Sequence, residues 1–188
     1  MKVLVAFGTK YGSTEKVAER IAEVMRSKGH DVIVADLRKR NRPAVKDHDM
    51  VVLGSGIIVG AWSKDAQKFI EDNKHLLVNK RVAFFACCGN MLIDPSKEAE
   101  YRKLYLTDIA AKASVESPVS MALFGGEIDF SKYGFLTKAV LSGVGAKKAW
   151  EKNGVDISKP YDFRDWKEIE AWAEMLAGEA EKIERTRN

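Results

Sequence analysis

Five short runs of apolar residues, separated by longer amphipathic stretches, constrain this chain more than any other feature. They are Val3-Leu4-Val5-Ala6-Phe7, Val32-Ile33-Val34-Ala35, Met50 to Leu53, Val82 to Ala86, and Val119 to Phe124. The runs are apolar through their middles, so each reads as a strand covered on both faces, as in a parallel sheet. The stretches between them repeat with helical spacing. Val17, Ile21 and Val24 share a face between Thr14 and about Lys28, and Gly29 is placed to end that helix. Ser63 to Leu77 reads as a second helix, and Asp94 to about Ala113, with Pro95 in its first turn, as a third. A last helix, starting near Asp162 or Asp165, puts Trp166, Ile169, Ala173, Leu176, Ala180 and Ile183 on one side.

Strands alternating with helices give an α/β fold with an open five-stranded parallel sheet and helices on both faces. Residues 1–188 are expected to form one domain. The stretch 126–158 is too long for a plain connection and reads as an insertion after the fifth strand. Within it Leu136, Val140 and Val144 lie along one helical face, with Tyr133, Phe135, Ala139 and Trp150 nearby.

Composition removes several classes. Apolar residues make up 46% and charged residues 31%, which excludes a disordered chain. The two cysteines, Cys87 and Cys88, are adjacent, which excludes a disulfide scaffold. The longest charge-free apolar stretch, Met50 to Trp62, contains three glycines and is well short of the roughly 20 residues a membrane span requires. No leader is legible at the N-terminus, so the cytoplasm is the expected compartment. A net charge of +4 is too small to indicate nucleic acid, and no such partner is expected. His30, His48 and His75 do not cluster with cysteines at ligand spacing, so no metal site is expected. Arg38-Lys39-Arg40-Asn41-Arg42 concentrates cations, either as a solvated loop or as a grip for phosphate or anionic lipid.

In an open α/β sheet, ligands bind beyond the carboxyl ends of the strands. Three loops there carry chemistry. Thr9-Lys10-Tyr11-Gly12-Ser13-Thr14 follows the first strand, and its hydroxyls and glycine at a helix N-terminus suit a phosphate. It lacks the Gly-Lys-Ser/Thr of a Walker loop and the dinucleotide glycine pattern. Its bland alternative is a helix cap built from Ser and Thr. Gly54-Ser55-Gly56-Ile57-Ile58-Val59-Gly60-Ala61-Trp62 follows the third strand. Its glycines admit a flat ligand, and Trp62 is placed to cover the ligand's face; a flexible loop with a buried tryptophan is the alternative. Cys87-Cys88-Gly89-Asn90 follows the fourth strand. It offers either a thiol beside a redox ligand or small buried side chains at a strand end.

In combination these loops resemble those of flavodoxins, which hold FMN with its phosphate in the first loop and its ring between the other two. The resemblance implies a sheet of order 2-1-3-4-5. It also assigns Thr9, Lys10, Tyr11, Gly12, Ser13 and Thr14 to the phosphate. Ser55, Gly56, Ile57, Ile58, Val59, Gly60, Ala61 and Trp62 are assigned to the ribityl chain and ring, and Cys87, Cys88, Gly89 and Asn90 to the ring's other side. Backbone amides near Gly60 and Gly89 would tune the flavin's potential.

A finer likeness is to the flavodoxin-like menaquinone-dependent protoporphyrinogen oxidases. It rests on Gly54-Ser55-Gly56-Ile57, Gly60, Trp62 and Gln67-Lys68-Phe69. Further marks are Pro160-Tyr161-Asp162-Phe163-Arg164-Asp165-Trp166-Lys167-Glu168-Ile169, Trp172-Ala173 and the insertion itself. Ile58 and Val59 depart from that subfamily's polar or aromatic residues. The likeness implies an FMN-dependent oxidoreductase passing electrons from a small organic substrate to a quinone. The basic 132–148 stretch would lie at the inner face of a membrane and meet a quinone there, or pack on the sheet and support the flavin loops. The alternative is an electron carrier serving protein donors and acceptors, with no substrate of its own. No side chain stands out as an acid–base catalyst.

Overall fold

The structure, a computed structural model, describes residues 1–143 and 145–187, with side chains through residue 182. Val144 and the Ile183 side chain, both assigned above to helical faces, lie outside this description. Strands β1 (Lys2–Gly8), β2 (Asp31–Asp36), β3 (Met50–Gly56), β4 (Arg81–Cys87) and β5 (Ser120–Phe124) form one parallel sheet in the order β2-β1-β3-β4-β5. Val5 pairs with Val34 on one side and Val52 on the other, so the first apolar run lies at the centre. Its alternate residues serve two cores. Leu4 and Ala6, with Val51, Leu53 and Phe84, pack against α2 (Lys64–Leu77) and the 98–112 helical segment. Val3, Val5 and Phe7, with Val52 and Phe85, pack against α1 (Ser13–Ser27) and the long C-terminal helix. Each such side chain, fully withdrawn from water, contributes roughly 1.5–3 kcal/mol. The stripe Ile169, Ala173, Leu176 and Ala180 on that last helix is buried as the spacing predicts.

Three differences from the sequence reading shape the site. Strand β3 continues through Gly54, Ser55 and Gly56, which the sequence places in a loop, because β4 keeps pairing with them at Phe85, Ala86 and Cys87. The helix read as Asp94–Ala113 is subdivided. A short α3 (Asn90–Ile93) and a 3-10 turn (Pro95–Lys97) precede α4 (Glu98–Arg102), a wide π turn (Lys103–Thr107) and α5 (Asp108–Lys112). Within the π turn, the Tyr105 carbonyl accepts the Trp62 indole N–H at 2.8 Å.

The third difference lies beyond β5. Here β6 (Glu127–Ile128), α6 (Phe135–Gly143), α7 (Ala146–Lys152) and β7 (Tyr161–Asp162) build a cover over the carboxyl end of the sheet. β6 and β7 pair antiparallel, and Ile128, Ala146, Trp150 and Val155 form a small core of their own. The apolar face expected of α6 is turned outward: Phe135 is 84% and Leu136 77% exposed, while Thr137 is buried. Thr137 is drawn inward by two donors on the first loop, described below. The final helix, α8, runs from Trp166 to Arg187. The basic run after β2 is partly structural: Arg38 forks onto the Asp36 carboxylate, and Arg42 donates to the Leu37 and Lys39 carbonyls.

Gly54 is required by packing. A Cβ there would lie 2.0 Å from Cζ of the buried Phe85 ring. Gly54→Ala is therefore expected to lower stability in equilibrium urea unfolding by about 1–3 kcal/mol. Adding Phe85→Leu should restore part of that loss, and equal stability of Gly54→Ala and the native chain would refute this account.

Candidate functional site

Beyond the ends of β1, β3 and β4 lies a cavity of about 440 Å³, within the roughly 300–1,000 Å³ range of ligand sites. Its floor is made by the three loops and its roof by the cover. Of the residues singled out by sequence, Thr9, Lys10, Tyr11, Ser13, Thr14, Gly56, Ile57, Ile58, Val59, Gly60, Cys87, Gly89 and Asn90 line it. Gly12, Ser55, Ala61, Trp62 and Cys88 do not.

The first loop ends in Gly12, at φ 93°, a left-handed conformation that glycine adopts at no steric cost. Gly12 donates its N–H to Thr9 Oγ1 at 3.0 Å. No side chain caps α1, so the Ser/Thr cap entertained from sequence is absent and the first-turn N–H groups face the cavity end uncapped. Ser13 and Thr14 sit inside the helix's first turn. Thr14 Oγ1 is buried without a hydrogen-bond partner of its own, against the Cys87 thiol. An open helix N-terminus with a stranded hydroxyl is a phosphate-shaped site. The loop is also moored to the roof. Tyr11 donates its hydroxyl to Thr137 Oγ1 at 2.7 Å, Lys10 donates to the same atom at 3.1 Å, and the Tyr11 and Tyr133 rings lie 4.6 Å apart.

The second loop is a tight turn. Ile58 and Ala61 exchange backbone hydrogen bonds of 3.0 and 3.3 Å, with Val59 at φ 51° and Gly60 at φ 76° between them. Two positive φ values make a type I′ turn, whose preferred residues are Asn-Gly. A β-branched residue there is strained. Ser55 turns away from the cavity and acts as a tether, accepting the Ser63 N–H at 2.9 Å and donating to the Gly56 carbonyl. Trp62 does not cover a ligand's face. It is 3% exposed in the core, bonded to Tyr105 and edge-on to Phe84. A large apolar ring whose N–H finds a carbonyl is better buried than left at a cavity mouth.

The third loop divides its cysteines. Cys87 belongs to the core under α1 and α8 and reaches the cavity, whereas Cys88 belongs to the opposite core. Burial pushes the Cys87 thiol up to about 12 and Cys88 to about 11, so both are neutral thiols at physiological pH. Asn90 donates to the Tyr105 hydroxyl at 3.1 Å.

The roof residues were not singled out as a site by the sequence. Tyr133, Leu141, Ala146, Trp150, Ile128, Glu127 and Phe163 all line the cavity. The arginine of the Pro160–Ile169 stretch organises them. Arg164, its side chain 2% exposed, binds Asp162 at 2.5 Å and Glu127 at 3.1 Å, and donates to the Ser13 carbonyl at 3.0 Å. Lys16 and Lys132 also reach Glu127. Burial works to raise the Glu127 carboxyl, but the bonds from Lys132 and Lys16 outweigh it and hold it below the usual range. Glu127 is therefore a compensated carboxylate, which keeps a bare negative charge away from an anion site. Only the pairing of Glu127 with a residue near position 164 across a hairpin would have disclosed it, and two-residue strands leave almost no periodic signal.

A family model described as "Flavodoxin domain" matches residues 4–152. The chain belongs to the flavodoxin domain family. Among curated relatives of this flavodoxin-domain protein is the protoporphyrinogen IX dehydrogenase [quinone] of Escherichia coli K12. It is 23% identical over 180 residues, covering 94% of this chain and 95% of that one. Among solved structures, a short-chain flavodoxin associated with a non-canonical PDU bacterial microcompartment aligns with TM-score 0.52 and 17% identity, over 79% of this chain and 99% of its own. Oxidised flavodoxin 1 from Bacillus cereus aligns with TM-score 0.51 and 18% identity, over 81% and 98%. Family membership implies FMN as the cofactor. The uncapped helix end and orphaned Thr14 hydroxyl fit its phosphate, and the apolar cavity between the other two loops fits its ring. Among the described residues no helix is long and apolar enough to cross a membrane.

The strained turn gives a direct test. Val59→Asn is expected to raise stability by about 1 kcal/mol in urea unfolding. No change would mean that the turn carries no strain.

Proposed function

We propose that this protein is an FMN-dependent oxidoreductase of the protoporphyrinogen dehydrogenase type, passing electrons from an organic substrate through FMN to a quinone. The roof carries this reading. An electron carrier needs only a flavin with an edge open to its partner, whereas here residues 126–163 extend the cavity with their own walls, including Tyr133, Leu141 and Trp150. The collinear match to the Escherichia coli dehydrogenase covers 94% of this chain, so it includes most of the roof. We read 126–158 as an insertion within one flavodoxin-like domain.

Bound FMN would supply the hydride and electron transfer. The chain would bind and orient it. First-turn amides of α1 and the Thr9, Ser13 and Thr14 hydroxyls hold the phosphate, with Lys10 and Tyr11 fixing the loop to Thr137. Ile57, Ile58, Val59 and Gly60 lie along the ring on one side, and Cys87, Gly89 and Asn90 on the other. Gly12, Ser55, Ala61, Trp62 and Cys88 support these loops from behind. The apolar roof excludes water.

Two measurements test this reading. FMN titrated into the apoprotein should bind stoichiometrically with a flavin absorption spectrum. Thr14→Val should weaken that binding about tenfold while leaving the apoprotein as stable or more so, because an unpartnered buried hydroxyl is removed. Turnover of protoporphyrinogen with a menaquinone analogue is then expected. FMN binding without turnover, and with rapid electron exchange with a ferredoxin or reductase, would establish the carrier reading instead. That alternative is favoured by Val59, 59% exposed at the cavity mouth, where a protein partner would dock.

The outward face of α6 supports contact with a membrane that holds the quinone. Phe135 and Leu136 stand clear of the protein on the helix that carries the exposed Lys138, with Lys148 exposed on the next helix, an apolar pair with nearby cations in sequence that suits an anionic surface. Vesicles containing anionic phospholipid should sediment the protein, and Phe135→Glu with Leu136→Glu should release it; equal sedimentation would refute the contact.

A further inference from the structure

Among the described residues, two buried side-chain polar atoms have no hydrogen-bond partner: Thr14 Oγ1 and Trp150 Nε1. Both residues line the same cavity, one from its floor and one from its roof. A buried polar atom left without a partner is costly, so two in one cavity point to an occupant that meets them. The other indoles contrast with Trp150. Trp62 donates to the Tyr105 carbonyl, Trp172 donates to Ser120 Oγ, and Trp166 lies under the Arg164 guanidinium.

The surroundings of Trp150 explain why its N–H finds nothing in the protein. It packs with Ile128, Ala146 and Val155, and edge-on to Phe130 at 5.7 Å. Its orientation is informative. Cζ2 of the ring, on the same edge as Nε1, is the one heavy atom beyond Gly89's chain neighbours within 4 Å of where a Gly89 Cβ would stand, at 3.6 Å. The N–H edge is therefore turned toward the loop read as flanking the flavin ring, not toward the phosphate loop.

We propose that Trp150 donates its indole N–H to an acceptor atom of the bound flavin ring, so that the roof grips the cofactor as well as covering it. This rests on the FMN reading above. The flavin ring carries carbonyl oxygens and ring nitrogens at its polar end, which are the acceptors an indole N–H requires. Thr14 would meet the phosphate and Trp150 the ring, so the two orphans would be satisfied at opposite ends of one ligand.

The test uses FMN and riboflavin, which lacks the phosphate, on the full chain. The four tryptophans give four indole N–H resonances, and the one missing from Trp150→Phe is that of Trp150. On FMN addition this resonance should move downfield. Trp150→Phe should weaken FMN and riboflavin by the same factor, about three- to tenfold, whereas Thr14→Val should weaken FMN alone. If the native protein binds FMN but the resonance stays in place and Trp150→Phe binds both ligands normally, the proposal falls and the flavin reading stands. A resonance that moves only when an organic substrate is added overturns it as well, assigning the donor to the substrate. If native protein binds neither ligand, both readings fail. Should Trp150→Phe not fold, assignment of the native resonance by triple-resonance spectroscopy leaves the shift to decide.

Discussion

The Arg164 guanidinium is almost wholly out of water, so protein groups alone must satisfy it. Its partners come from three places: Asp162 beside it, Glu127 across the short hairpin, and the Ser13 carbonyl in the first turn of α1. A buried charge stripped of its partners is costly, and this requirement ties the roof to the first loop, where the phosphate is proposed to sit. Roof and floor are thereby held in one register, and the cavity is the space that register leaves between them. The Tyr11 and Lys10 bonds to Thr137 repeat the linkage a few residues away.

The sheet was legible because two-sided burial leaves an unmistakable pattern. Val3 to Phe7 cannot alternate polar with apolar when both faces are covered, and helices α1 and α8 must present Val17 and Ile21, or Ile169 and Leu176, at helical spacing to cover them. The floor was legible for another reason: a glycine and several hydroxyls within a few consecutive residues at a helix entry, as in Thr9 to Thr14, mark a loop that opens on a cavity. What escaped the sequence were interactions between distant positions. Nothing near Trp62 announces that its N–H will find the Tyr105 carbonyl in a π turn, so its aromaticity was assigned to the cavity. Nothing in 126–163 announces a hairpin of two-residue strands. The stripe Leu136–Val140 suited a membrane surface or the sheet equally from sequence; the bonds from the first loop turn Thr137 inward and leave the stripe outward.

The cavity holds several of the protein's unresolved local energies. Thr14 and Trp150 keep buried polar atoms without partners, and Val59 keeps a left-handed backbone in a turn whose favoured residue at that position is asparagine. Elsewhere Trp62 and Trp172 donate to protein oxygens and the sheet runs in regular register, while Ser114, at φ 57°, is left-handed outside the cavity. Two unpartnered buried polar atoms in one cavity are what selection for a ligand leaves behind when stability alone would have removed them.

Cys87 and Cys88 are neighbours in sequence but face opposite sides of the sheet. While the strand end stays extended, their sulfurs cannot meet, so the pair cannot give up two electrons by closing a disulfide. Oxidant entering the cavity would meet Cys87 alone, and any product would be a single-thiol adduct. The arrangement leaves two-electron storage at this end of the sheet to whatever occupies the cavity.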